Sequence, residues 1–202
     1  RVRREIFHQK IGARRWLEIH EIAHAMGIPS NATLLYGHIE TRAERVQHLI
    51  LLRELEDRAP GFFAFIPLAF QPGVTGLVRR QASAIEDLKT IAISRLVLDN
   101  IPHVKSYWIM LGQDTAAAAI NFGASDLDGT IGQEKIAHAA LARSPVGMAE
   151  EGMVHMIHEA GKRPVQRDAL YRVVREYTRG GDPVAAGAAP TSLRAVSPAA
   201  AR

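Results

Sequence analysis

Phe62 to Leu68 reads FFAFIPL, a run without a single polar residue. A strand with one wet face alternates apolar and polar residues, whereas a parallel strand covered on both faces is apolar throughout. The run therefore predicts a parallel strand, and the flanking sequence supplies what a parallel sheet needs. Upstream, Thr41 and Glu44 have capping-box spacing and open a helix running to about Arg58. Before that helix, Asn31 to Tyr36 (NATLLY) reads as another buried strand. Ala13 to Met26 has helical periodicity, with Trp16, Ile19, Ala23 and Met26 on one face and a stop at Gly27 and Pro29.

Downstream the pattern continues. A loop from Gln71 to Gln81 precedes a second capping-box pair, Ser83 and Glu86, and a helix to about Asn100. His103 to Leu111 (HVKSYWIML) reads as the third strand, and Thr115 to Phe122 as a short helix ending at Gly123. Ser125 to Thr130 reads as a fourth strand. Gly132–Ala142, Met148–Ala160 and Arg167–Tyr177 read as helices. Strands alternating with helices predict an α/β fold with right-handed crossovers. No glycine-rich phosphate loop follows a strand, so a dinucleotide-binding sheet is disfavoured against a (β/α)8 barrel, of which four strands are half. Residues 1–179 are read as this partial barrel. Residues 180–202, rich in Ala, Pro and Gly, are read as a disordered tail.

Composition narrows the function classes. Of 202 residues, 47% are hydrophobic and 23% charged, as in a globular protein with a core. Lys and Arg outnumber Asp and Glu by 25 to 21, but no basic stripe interleaves with aromatics, so nucleic acid is not an expected partner. No apolar run is long enough to span a bilayer and no signal peptide is visible, so a membrane is not expected either. The chain has no cysteine, which excludes disulfides, thiolate nucleophiles and iron–sulfur ligation by its own residues. It starts at Arg1 rather than Met, and is read as part of a longer chain.

Two motifs point to hydrolytic chemistry. His20-Glu21-Ile-Ala-His24 matches H-E-x-x-H, in which i and i+4 histidines hold zinc and the glutamate is a general base. The competing reading is a barrel-surface helix whose histidines flank the apolar stripe. No third ligand is evident, so no metal site is assigned. Asp126-Leu-Asp128-Gly-Thr130 matches the D-x-D-G-T of haloacid-dehalogenase-type phosphatases, where the first Asp attacks phosphorus. Here Asn121 to Ser125, before it, is not the hydrophobic strand that motif follows.

Longer segments are more informative. SNATLLYGHIET (Ser30–Thr41), AFIPLAF (Ala64–Phe70), DLKTIAISRLVLDNIPHVKSYWIMLG (Asp87–Gly112) and FGASDLDGTIGQEKI (Phe122–Ile136) resemble the aminofutalosine synthases. These are radical S-adenosylmethionine enzymes of the futalosine route to menaquinone. REIFHQKIGARRWLEIH near the start and HEAGKRPVQRDALYRVV near the end extend the resemblance from about Arg1 to Tyr177. It absorbs both short motifs into an ordinary barrel helix and an ordinary barrel strand. The resemblance implies strands five to eight of a (β/α)8 radical SAM barrel in a cytoplasmic enzyme. It implies S-adenosylmethionine and a 4Fe–4S cluster as cofactors, the cluster held by three cysteines in the half that is not here. An electron donor would serve that cluster. The implied reaction adds a 5′-deoxyadenosyl radical to the small-molecule substrate 3-[(1-carboxyvinyl)oxy]benzoate, with rearrangement and decarboxylation. Relatives with other substrates are cyclic dehypoxanthinyl futalosine synthase and the deazaflavin-forming synthase.

Ligands in such barrels sit at the C-terminal ends of strands. After the first strand the family's adenine-contacting G-x-I-x-G-x-x-E survives in part as Thr33-x-Leu35-x-Gly37-x-x-Glu40, so Leu35, Gly37 and Glu40 are the S-adenosylmethionine candidates. The alternative is that Gly37 only turns the chain and Glu40 only supports the next helix. His38 and Gln71 are candidates for substrate contact, His38 otherwise being a solvated loop residue. Trp108 either faces the lumen or packs in the core. Asp126, Asp128 and Thr130 end the fourth strand and, with Glu134, are candidates for ribose or substrate binding. Rival readings of other classes are a zinc hydrolase built on His20, Glu21 and His24, and a non-catalytic half-barrel.

Overall fold

The computed structural model describes residues 1–73, 75–131, 135–139, 145, 147–178 and 184–185. Two short sheets organise them. In the first, β1 (Ser30–Tyr36), β2 (Phe62–Ala69) and β3 (His103–Val104) lie parallel and in chain order. Helices α3 (Arg42–Arg58) and α4 (Ala84–Val97) make the crossovers, preceded by α1 (Val2–Ile6) and α2 (Ala13–Ala25).

The helix starts are built by side chains. Thr41 Oγ1 accepts from the Glu44 amide (3.1 Å) while Glu44 Oε2 accepts from the Thr41 amide (2.8 Å), a complete capping box. At α4, Ser83 Oγ accepts from the Glu86 amide (3.3 Å), but Glu86 turns outward to Arg45 (2.9 Å) rather than back. Only half of that box forms because a guanidinium outcompetes a neutral amide for the carboxylate.

Period-two alternation sorts β1. Ala32, Leu34 and Tyr36 are buried with Leu49, Leu52, Leu55 and Ile91 beneath the crossover helices. Asn31 and Thr33 are exposed on the other face, and Leu35 is half-buried there beside its register neighbour Leu68. The chain is thus α/β with a parallel sheet covered by helices on one side.

The third strand is shorter than expected. After Val104 the chain keeps one bridge, Lys105 to Asp126, and then coils into α5 (Trp108–Leu111) and α6 (Gln113–Ala119). Trp108 is therefore on a helix, not a strand. A short helix buried on every side is as continuously apolar as a parallel strand, and periodicity does not separate them. The fourth strand, expected over Ser125–Thr130, is reduced to that bridge. Asp126 Oδ1 accepts from the Asp128 amide (2.7 Å), and Asp128 takes φ of 69°, which turns the chain out of extended conformation.

Beyond it, α7 (Ile136–Ala139) is the described part of the helix expected over Gly132–Ala142, and α8 (Glu150–Glu159) matches the helix expected over Met148–Ala160. The helix expected over Arg167–Tyr177 is instead a hairpin, β4 (Val165–Arg167) with β5 (Val173–Glu176), in a second, antiparallel sheet. Asp168 decides this: its Oδ1 accepts from the amides of Leu170 (2.9 Å) and Arg172 (3.0 Å), closing a turn where a helix would need to continue. Within segment 180–202 the described residues are Val184–Ala185, which form β6 against β5; the others lie outside the described residues.

The buried pair joining β1 to α4 gives a pH-dependent expectation. The Tyr36 hydroxyl donates to Asp87 Oδ1 (2.7 Å), and burial pushes Asp87 up to about 6 despite that hydrogen bond. A carboxyl raised in the folded state keeps its proton where the unfolded chain has lost it. Its contribution is therefore full only below the ordinary value of 3.8 and is lost as pH rises from there through about 6. Asp87→Asn keeps an acceptor for Tyr36 and removes the titration. Urea melts should show the variant more stable than the parent by about 1 kcal/mol at pH 7.5 and no more stable at about pH 3. The same difference at both pH values would contradict the assignment.

Candidate functional site

The H-E-x-x-H residues do share a face of α2, as the spacing requires, but the face is packed. His24 Nδ1 meets the Ala59 carbonyl (2.7 Å), which only accepts, so this nitrogen carries the proton. In the neutral ring His24 Nε2 then accepts from Ser30 Oγ (2.8 Å), and Ser30 accepts from His20 Nδ1 (2.8 Å). The lone pair His24 would offer zinc is spent on Ser30. Both rings pack against Phe62, at 5.2 and 4.7 Å between centroids. Burial lowers the His20 pKa, and the neighbouring His24 ring works in the same direction. Glu21 is on the surface, 3.7 Å from Arg58. Among the described residues no group of three His, Asp or Glu is placed to hold a metal ion.

The turn after β1 also looks inward. Glu40 accepts from the amides of Gly37 (2.7 Å) and His38 (2.9 Å) and from Arg45 (2.7 Å). Burial alone would raise its pKa; those donors together lower it. Glu40 therefore braces the turn. Gly37 has φ of +84° with the Ala82 Cβ 3.2 Å from where its own Cβ would be, so a side chain there would be strained. His38 Nδ1 accepts from the Ile39 amide (2.7 Å) and Nε2 donates to the Leu35 carbonyl (3.0 Å). The solvated alternative for His38 is corrected: the ring is buried and pinned to its own backbone. Leu35 lies on the open face of the sheet. Gln71, also buried, donates to the carbonyls of Ala69 (3.1 Å) and Met110 (3.2 Å).

Asp126, Asp128 and Thr130 do come together, on the wall of a cleft of about 760 Å³ between the end of the parallel sheet, α8 and the hairpin. Lys105 pairs with Asp128, and Arg167 pairs with Asp126 (2.8 Å). Burial alone would lower the Lys105 pKa; its hydrogen bond to Asp128 and the charge of Asp126 reverse this and raise it. With both Asp126 oxygens engaged, by Arg167 and by the Asp128 amide, the residue is not arranged as a free phosphatase nucleophile. Glu134 lies outside the described residues. Trp108 is fully buried, its Nε1 donating to the Gly129 carbonyl (3.1 Å), so it backs the cleft wall from the core side.

Four residues of this region carry no signal that singles them out in the sequence: His103, Lys105, Arg167 and Tyr171. The Tyr171 ring stacks on His103 (centroids 4.9 Å, planes 14° apart). The first two lie two apart on β3 and its continuation, so alternation places them on one face. Nothing local marks the other two, which arrive on the hairpin.

Comparison with known proteins bears on this arrangement. A family model described as the CofH/MqnC C-terminal region matches residues 59–179. The chain is 47% identical over 184 residues to the aminodeoxyfutalosine synthase of Thermus thermophilus, a match covering 89% of this chain and 50% of that protein. It is 39% identical to the cyclic dehypoxanthine futalosine synthase of Streptomyces coelicolor, over 85% of this chain and 43% of that one. It is 36% identical to a 5-amino-6-(D-ribitylamino)uracil–L-tyrosine 4-hydroxyphenyl transferase of Methanosarcina barkeri, over 87% and 49%. The chain spans about half the length of the curated relatives it matches.

Proposed function

Because this chain belongs to the CofH/MqnC C-terminal region family, we propose that it forms the C-terminal part of a cytoplasmic aminodeoxyfutalosine synthase. That enzyme would be a radical S-adenosylmethionine transferase of the futalosine route to menaquinone. The observation that carries this reading is the 47% identity along 89% of the chain. In this reading the three parallel strands and the segment bridged at Asp126 supply strands five to eight of an eight-stranded barrel, with the remaining strands elsewhere in the protein. Three strands in chain order, with Asp126 bridging next to the third, are what consecutive barrel strands require.

The 4Fe–4S cluster does not fit on this chain. It has no cysteine and, among the described residues, no cluster of metal-ligating side chains. The cluster, and the electron donor that reduces it, belong with the rest of the protein. S-adenosylmethionine, when bound to that cluster, supplies the 5′-deoxyadenosyl group. Toward it, Leu35 offers apolar contact on the open sheet face, while Gly37 and Glu40 shape the backbone of the turn rather than reach outward. The cleft binds the small-molecule substrate beside the adenosyl group: Asp128 and Thr130 offer acceptors for ribose hydroxyls, and Lys105 a cation for a substrate carboxylate.

The test is a steady-state assay of the full-length protein with S-adenosylmethionine, a reductant and 3-[(1-carboxyvinyl)oxy]benzoate. Aminodeoxyfutalosine is the expected product. Asp128→Asn is expected to lower kcat/KM roughly 10–100-fold, with the circular dichroism spectrum unchanged. The competing readings rest on the 39% and 36% identities to relatives named for other reactions. Turnover of dehypoxanthine futalosine, or of tyrosine with the ribitylaminouracil, in place of the benzoate would replace the reading.

A further inference from the structure

The hairpin lines the cleft and is tied to its acidic pair through one side chain, Arg167. Arg167, at the end of β4, donates to Asp126 Oδ2 (2.8 Å), to the Ser125 carbonyl (3.2 Å) and to the His103 ring (2.9 and 3.0 Å). It thus ties the hairpin to β3 and to the segment carrying the acidic pair. The ion pair is well shielded, with side chains 15% and 13% exposed, so it is not a surface contact of negligible weight.

The consequence runs onward through Asp126. Its second oxygen accepts from the Asp128 amide, and Asp128 holds the left-handed conformation that turns its carboxylate to Lys105. Tyr171 caps the assembly from the hairpin tip, stacked on His103 with the Arg167 guanidinium 4.9 Å from its ring centre. A tyrosine at φ of 62° is a strained backbone, and its surroundings maintain it.

We propose that Arg167 is a positioning residue: it fixes the Asp126 carboxylate and, through it, the Asp128 turn and the Asp128–Lys105 pair that a ligand meets in the cleft. The proposal rests on the reading that this cleft binds the substrate. Both terminal nitrogens of Arg167 are engaged by protein acceptors, so it acts through Asp126 and not by gripping ligand itself. Without the guanidinium, Asp126 is a shielded carboxylate beside Lys105 and competes with Asp128 for it. His103 reports the same event. Burial first, and the Arg167 charge second, hold it down at about 4; Asp126 opposes, while Arg95 and Lys105 add smaller lowering effects. Removing Arg167 leaves Asp126 as the dominant neighbour and raises the His103 pKa.

Arg167→Met and Arg167→Lys are compared with the parent in the full-length protein. Two readouts are taken: KM and kcat for the benzoate substrate, and the imidazole NMR titration of His103, assigned with His103→Gln. Arg167→Met is expected to raise KM at least tenfold with kcat within about threefold, and to move the His103 midpoint up by a unit or more. Arg167→Lys keeps the charge and loses the fork. It should leave His103 near its parental midpoint while KM stays raised several-fold. An unchanged KM, or an unmoved His103 in Arg167→Met, overturns the proposal. If the parent turns over no benzoate substrate, the functional reading fails by itself. The His103 titration then decides: a shift in Met that Lys reverses supports the anchoring role, and no shift overturns it.

Discussion

Trp108→Ala should lower the unfolding free energy by about 3–5 kcal/mol, as for a large aromatic removed from a packed core. The ring is wholly inaccessible and packs with Ile109, Ala116, Leu127, Ala137 and Met153, joining α5 and α6 to α8. Two losses add. The first is the transfer energy of the largest apolar side chain, together with the cavity it leaves. The second is the donor to the Gly129 carbonyl, whose lost partner costs about 1–3 kcal/mol if it stays buried. Native domains are stable by only about 5–15 kcal/mol, so the variant would sit near the edge of folding. Trp108→Phe separates the terms, because it keeps much of the ring and loses the donor; it should cost less than half as much. Denaturant melts followed by Trp16 fluorescence and circular dichroism measure both. A cost below about 1 kcal/mol for Trp108→Ala would mean that the ring is not core, and would return it to the list of ligand contacts.

The same residue shows where sequence reading stops. β1, β2, α2 and α3 are legible because their signals are local: Thr41 and Glu44 lie within one turn, and Gly27 ends α2 where Pro29 forbids continuation. HVKSYWIML is not legible, because burial on all sides erases the period that distinguishes strand from helix. The hairpin at 165–176 is illegible for a different reason. Its determinant is Asp168 bonding to backbone two and four residues on, and a side chain's choice between backbone and solvent is not written in its type. His38 and Glu40 repeat this lesson at the turn after β1, where both side chains face back onto their own chain. In the cleft, Asp126 and Asp128 are legible in the sequence because they are neighbours. Arg167 is not, because its partners are about forty or more positions away.

Gly61→Ala should be the most damaging single-methyl change among the described glycines, at about 3 kcal/mol, the upper end of the overpacking range. A Cβ on Gly61 would lie 2.3 Å from His24 Cγ and 2.5 Å from Cδ2, so something must move. The imidazole is not a free end: it is held by the Ala59 carbonyl, by Ser30 Oγ and against the Phe62 ring. The backbone is equally committed. The Gly61 amide donates to Glu56 (3.0 and 3.2 Å), and its carbonyl accepts from the Ser30 amide (3.0 Å) at the mouth of the β1–β2 register. Relief by rotating His24 breaks the His20–Ser30–His24 chain; relief by shifting Gly61 breaks the start of the parallel sheet. A double-mutant cycle identifies the cause. If the clash with the ring dominates, Gly61→Ala in a His24→Ala background should cost at least about 1.5 kcal/mol less than in the parent. Strict additivity would place the strain in the backbone instead. The cycle also bears on the H-E-x-x-H reading, because it measures what His24 does for the fold with no metal in the experiment. A histidine whose removal makes room for a methyl group on the neighbouring strand's approach is a packing residue, and its spacing from His20 follows from Ser30, which both rings share.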